Sequence, residues 1–164
     1  MARRRSFQPA SLPNFARADE ILHAAELFWV RAARVSKLQA AMGKSVADAA
    51  FLAYLSTDLL RLSEQLVRYR TVHNVSSLST WVQYTPEQPL PSEQDLAGLA
   101  QPDVDADDAM VRINELNARW CRVFEELSER LTSSSGRELF ANCRALLDAR
   151  AASLVSACAQ RHES

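Results

Sequence analysis

The prolines of this chain fall at positions 9, 13, 86, 89, 91 and 102, and nowhere else. Residues 14–85 and 103–164 contain none. A proline inside a helix removes a hydrogen bond and costs about 3 kcal/mol, so these two blocks are where long helices fit. Each block has a glycine beside a capping pattern: Gly43 before Ser45-Val-Ala-Asp48, and Gly136 within Ser135-Gly-Arg-Glu138. Glycine closes a helix in the left-handed conformation without a Cβ penalty, and a serine with an acid three residues on opens the next. Each block therefore reads as a helical hairpin.

Apolar spacing fills in the four helices. Ile21, Ala25, Phe28, Ala32, Val35 and Leu38 share one face of a first helix over 14–42. Leu52, Leu55, Leu59, Leu62, Leu66 and Tyr69 alternate in steps of three and four, a heptad seam that predicts core. A third helix starts at Asp103 or Asp105 and carries Ala109, Ile113, Leu116, Trp120, Val123, Leu127 and Leu131. A fourth, ending near Ala159, carries Phe140, Cys143, Leu147, Leu154 and Ala157. The links within each hairpin are short, so helices 1 and 2 are expected antiparallel, as are 3 and 4. The link over about 73–104 is far longer than adjacent antiparallel helices need. It predicts a crossover along the bundle, with helices 2 and 3 parallel and a short helix at Ser92–Ala100. Residues 1–13 read as a basic, flexible tail, 14–160 as one domain and 161–164 as a C-terminal tail.

At 164 residues, 48% hydrophobic and 24% charged, the chain is long enough for a core without disulfides or metal, and its composition excludes disorder. No apolar run approaches a membrane span. Arginines at 3–5 resemble a twin-arginine signal, but no apolar region follows, which points to a cytoplasmic protein. Cys121, Cys143 and Cys158 lack metal-type spacing and read as free, buried thiols of a reducing compartment. Residues 1–86 carry eleven Lys/Arg against six Asp/Glu, and residues 87–164 eight against fourteen. A pI near 6.3, with no basic stripe interleaved with aromatics, argues against nucleic acid as a partner.

Two hairpins joined by one long crossover is the ferritin-like arrangement. Arg137-Glu-Leu-Phe140, followed by the Leu-Leu-Asp-Ala-Arg stretch ending at Arg150, resembles the last helix of rubrerythrin-type domains. Phe124-Glu-Glu-Leu-Ser128 is similar to the end of their third helix. Leu78-Ser-Thr-Trp-Val-Gln-Tyr84 resembles the start of the crossover in a group of bacterial proteins with rubrerythrin-like helices. The resemblance covers residues 15–160 loosely and implies a ferritin-like, rubrerythrin-like bundle. It also implies that the di-iron ligands are missing. A di-iron bundle takes a Glu from each of two helices and a Glu-x-x-His from each of the others. Where the fourth helix would supply Glu-x-x-His, this chain has Leu147 and Arg150. The second has Leu59 and Leu62, and the third has Asn117 in place of a carboxylate. A fixed charge at Arg150 opposes a metal ion.

One Glu-x-x-His does occur, Glu20-Ile-Leu-His23, with Glu26 three residues on. These three are the metal candidates if a metal binds at all; otherwise they read as a solvated helix face. His73 is expected at the C-terminus of helix 2, where the helix dipole favours a partly charged imidazole, and no nucleophile is tied to it. Trp81 and Tyr84 read either as anchors for the crossover or as a partner-binding hot spot. The expectation is a non-catalytic ferritin-like bundle acting as a protein-binding or assembly module, with a protein partner or a second copy and no cofactor. Two alternatives stand beside it. One is a rubrerythrin-type di-metal oxidoreductase or metal-handling protein using iron or manganese; the other is a phasin-like protein on a granule surface.

Overall fold

The computed structural model describes residues 15–72, 78, 81–83 and 89–163. Within them lie four long helices: α1 (Ala18–Ala40), α2 (Val46–Val72), α3 (Ala106–Arg130) and α4 (Ser134–Glu163). None is long and apolar enough to cross a membrane. Among the described residues the strands are a short ladder of β1 (Phe15–Arg17) and β2 (Trp81–Gln83), antiparallel with Ala16 opposite Val82. It fastens the residues before α1 to the link after α2. The basic tail at 1–13, His73 and Tyr84 lie outside the described residues.

The helix boundaries follow local chemistry. Gly43 has φ +71°, the left-handed turn that lets the chain double back after α1. Ser45 Oγ accepts the Asp48 N–H at 3.2 Å and caps α2. Asp105 caps α3 by accepting from Asp108 N–H at 2.8 Å, while Asp108 reaches back to the Asp105 N–H. For α4 the cap is Ser133, not the expected Ser135: its Oγ accepts the Gly136 N–H at 3.1 Å. Gly136 then sits inside the first turn, where a Cβ would stand 2.7 Å from the Ser133 hydroxyl. The helix expected at Ser92–Ala100 is one 3-10 turn, Glu93–Leu96, with Ser92 and Asp95 capping each other.

The seam on α2 is core as expected, with Leu52, Leu55, Leu59, Leu62 and Leu66 buried. So are Ile113, Trp120, Val123 and Leu127 on α3, and Phe140, Cys143, Leu147 and Leu154 on α4. Burying each large side chain contributes about 1.5–3 kcal/mol. A run of aromatic rings joins the two hairpins across the core: Phe28 to Trp120 at 5.9 Å, Trp120 to Phe124 at 5.8 Å, and Phe124 to Phe140 at 5.8 Å. The α1 stripe departs from expectation at its end, where Leu38 is 65% exposed and Ser36 and Gln39 are buried instead. At 3.6 residues per turn a face drifts away from a strict three-and-four pattern, and here it drifts toward the link. Gln39 Nε2 donates to Leu99 O at 2.9 Å and Gln101 O at 2.6 Å, and Lys44 Nζ to Pro102 O at 2.7 Å.

Polar contacts set the helix directions. Between α1 and α2, Ser56 Oγ donates to Ala33 O at 2.7 Å and Ser63 Oγ to Glu26 O at 3.0 Å. Between α3 and α4, Asn117 Nδ2 donates to Leu147 O at 3.1 Å, and Glu125 pairs with Arg144 at 2.6 Å. Between α2 and α4, Asp48 pairs with Arg161 and Asp58 with Arg150. In every pair rising numbers meet falling ones, so each is antiparallel.

Candidate functional site

Among the described residues two carboxylates, Glu26 and Asp58, are buried in the bundle, and each holds an arginine. On α1, Glu26 turns inward: Oε1 accepts from Arg70 Nε of α2 at 2.8 Å, and Oε2 lies 3.1 Å from His23 Nδ1. The bond to Glu26 raises the Arg70 pKa. Across α2, the Asp58 carboxylate meets Arg150 of α4, whose other arm donates to Gln65 Oε1 at 3.0 Å. Burial pushes the Asp58 acid above its ordinary range, with Arg150 and then Arg61 pulling against it. Asp58 Oδ2 is buried without a partner among the described residues.

The metal candidates named from sequence do not converge. Glu20 folds back to the helix start, where Oε2 accepts the Arg17 N–H at 3.0 Å. His23 is exposed and, among the described residues, meets Glu26 alone. Glu26 is not on a solvated face, because α1 buries a strip broad enough to include it beside Ala25 and Trp29. Of the partner candidates, Trp81 lies in β2 with its backbone opposite Arg17. Gln39, Lys44 and Arg119 also fasten the link, the last bonding Asp95 Oδ1 and Pro89 O at 2.8 Å each.

All three cysteines are free and buried, as expected. Burial pushes the Cys121 and Cys143 thiols up to about 12, helped at Cys143 by the Glu26 carboxylate, so neither supplies a thiolate near neutral pH. Cys158 differs in its company. It faces Asp107, in the first turn of α3, where α4 ends. Asp107 Oδ1 receives Arg161 Nη2 at 2.7 Å and Cys158 Sγ at 3.3 Å, and lies 3.1 Å from His162 Nε2. Burial works to raise the Asp107 acid, but these three partners outweigh it and hold it below the ordinary carboxylate value. Arg161 also reaches Asp48 Oδ1 at 2.8 Å and lies over the Phe51 ring. Beside it an open groove of about 370 Å³ runs between α2 and α4, lined by Phe51, Tyr54 and Ala157 among others.

The Asp107 cluster is not legible in the sequence reading, which ends the fourth helix near Ala159 and leaves 161–164 as tail. Helix α4 continues to Glu163, which puts Cys158 and His162 one turn apart on one face. No family model, curated protein or solved structure matches this chain.

Proposed function

We propose that this chain is a ferritin-like bundle that works in the cytoplasm by binding protein, a partner or a second copy, without catalysing a reaction. The helix directions support the architecture: α2 and α3 both run antiparallel to α4, hence parallel to each other. A crossover between them accounts for the long link. The interior supports the non-catalytic half. Carboxylates gathered inside a bundle need a compensating cation, and a metal is one solution. Here Arg70 and Arg150 fill that role for Glu26 and Asp58, and Leu59, Leu62 and Leu147 are buried in the apolar core.

The observation that carries the binding half lies at the α1–α2 turn. Leu38 and Met42, one turn apart, are 65% and 53% exposed, and Val46 beyond Gly43 is 88% exposed. Three large apolar side chains at one end of a bundle with a filled core have no use in its own packing. A photo-crosslinking residue at position 38 or 46 should give one defined adduct in cells. The same residue at Val111 or Val155, also exposed, should give none. Equal or absent labelling at both sets would overturn the binding half. Near-stoichiometric iron or manganese in protein from supplemented medium, lost on Glu26→Ala, would overturn the non-catalytic half.

A further inference from the structure

We propose that Asp107, Cys158 and His162 form a zinc(II) site at the end of the bundle, with three protein ligands and water in the fourth position. Their ligand atoms lie within 4.8 Å of one another. Cys158 and His162, four residues apart on α4, project from one face, and Asp107 comes from the first turn of α3. Zinc bonds of 2.0–2.3 Å set the edges of its tetrahedron at about 3.3–3.8 Å. The sulfur stands 3.3 Å and the imidazole nitrogen 3.1 Å from Asp107 Oδ1. Both distances to Asp107 thus stand close to tetrahedral edges, and the sulfur and the imidazole nitrogen lie within 4.8 Å of each other.

The donor set selects the metal. A thiolate, an imidazole and one carboxylate suit zinc, whereas magnesium, calcium and manganese favour oxygen. Charge balances as well. Binding expels the Cys158 thiol proton to solvent, so thiolate and carboxylate together cancel the dipositive ion, with the imidazole neutral. Arg161 Nη2 now bonds the same Asp107 Oδ1 at 2.7 Å and lies 3.5 Å from His162 Nε2, so the ion must displace that arm; the other arm stays on Asp48 at 2.8 Å, whose charge offsets the guanidinium. Entry needs no opening of the core, because the His162 and Asp107 side chains are 59% and 49% exposed. The site shares no residue with the Glu26 and Asp58 clusters, so it stands or falls apart from the binding reading.

The test uses the full chain titrated with Co²⁺, then displaced by Zn²⁺. One equivalent of Co²⁺ should give tetrahedral visible bands and a near-ultraviolet sulfur-to-metal charge-transfer band. Cys158→Ser should abolish that band, and Cys121→Ser should keep it. His162→Ala, at an exposed position that leaves packing intact, should weaken Zn²⁺ binding about tenfold or more. Zn²⁺ at a hundredfold excess over Kd should raise Tm by about 5–10 °C. No charge-transfer band in the full chain, or a band that survives Cys158→Ser, would overturn the proposal. So would His162→Ala binding Zn²⁺ like the parent chain.

Discussion

Asp95 and Asp58 each hold an arginine, yet their acids move in opposite directions. Asp95, in the link, is half-buried and has both oxygens occupied: Oδ1 by Arg119 at 2.8 Å, Oδ2 by the Ser92 N–H at 2.7 Å and its hydroxyl at 3.3 Å. Burial works to raise it, yet the Ser92 N–H and Arg119 outweigh that and hold it below the ordinary value. Asp58 is more deeply buried and has one oxygen on Arg150 and none on the other. Its acid rises. One guanidinium does not replace the water lost by a whole carboxylate; two or three donors on both oxygens do.

The largest effect should come from separating the buried pair. Arg150→Met leaves the buried Asp58 without its bonded counter-charge, only the weaker pull of Arg61 remaining, and should cost about 3–5 kcal/mol in urea unfolding. Adding Asp58→Leu should recover most of that loss, since an apolar pair of similar volume has nothing to desolvate. A single variant as stable as the parent would show the comparison to be misdrawn. Asp95→Ala should cost less, about 1–2 kcal/mol, because it removes charged hydrogen bonds from a half-buried site.

Acid sharpens the contrast. The lowered Asp95 acid adds stability that is complete above the ordinary value of 3.8 and is lost as pH falls through its folded value. The raised Asp58 acid acts in reverse: the folded state takes up the proton first, so stability is gained as pH falls through its range. Urea midpoints measured from pH 7 to 3 should lose their acid-side gain in Asp58→Asn and flatten their final fall in Asp95→Asn. The smallest effect belongs to the exposed Arg144–Glu125 pair, where Arg144→Ala should leave the midpoint unchanged.

Proline spacing and heptads were enough to read four helices and most of their buried faces, because both act locally. Reading the polar interior needed the partner helix. Arg150 does carry a trace: it occupies a core position in the series Leu147, Arg150, Leu154, and a seam arginine demands a buried acceptor. That the acceptor is Asp58, on the flank of the α2 seam, follows only from how α2 meets α4. Glu26 was hidden for a similar reason, since α1 is covered on more than one stripe. Cys158 and His162 were hidden by a misplaced helix end, an error of a few residues that removed their i, i+4 relation from view.

The hydroxyls of Ser56 and Ser63, set two turns apart on α2, are seated on carbonyls of α1. Sliding one helix along the other by a single turn, about 5.4 Å, would unseat both pegs at once. The hairpin therefore has no partial notches: it travels as one lever or stays still. What meets α3 and α4 is therefore a single two-helix unit, in contact with them through the rings from Phe28 to Phe140.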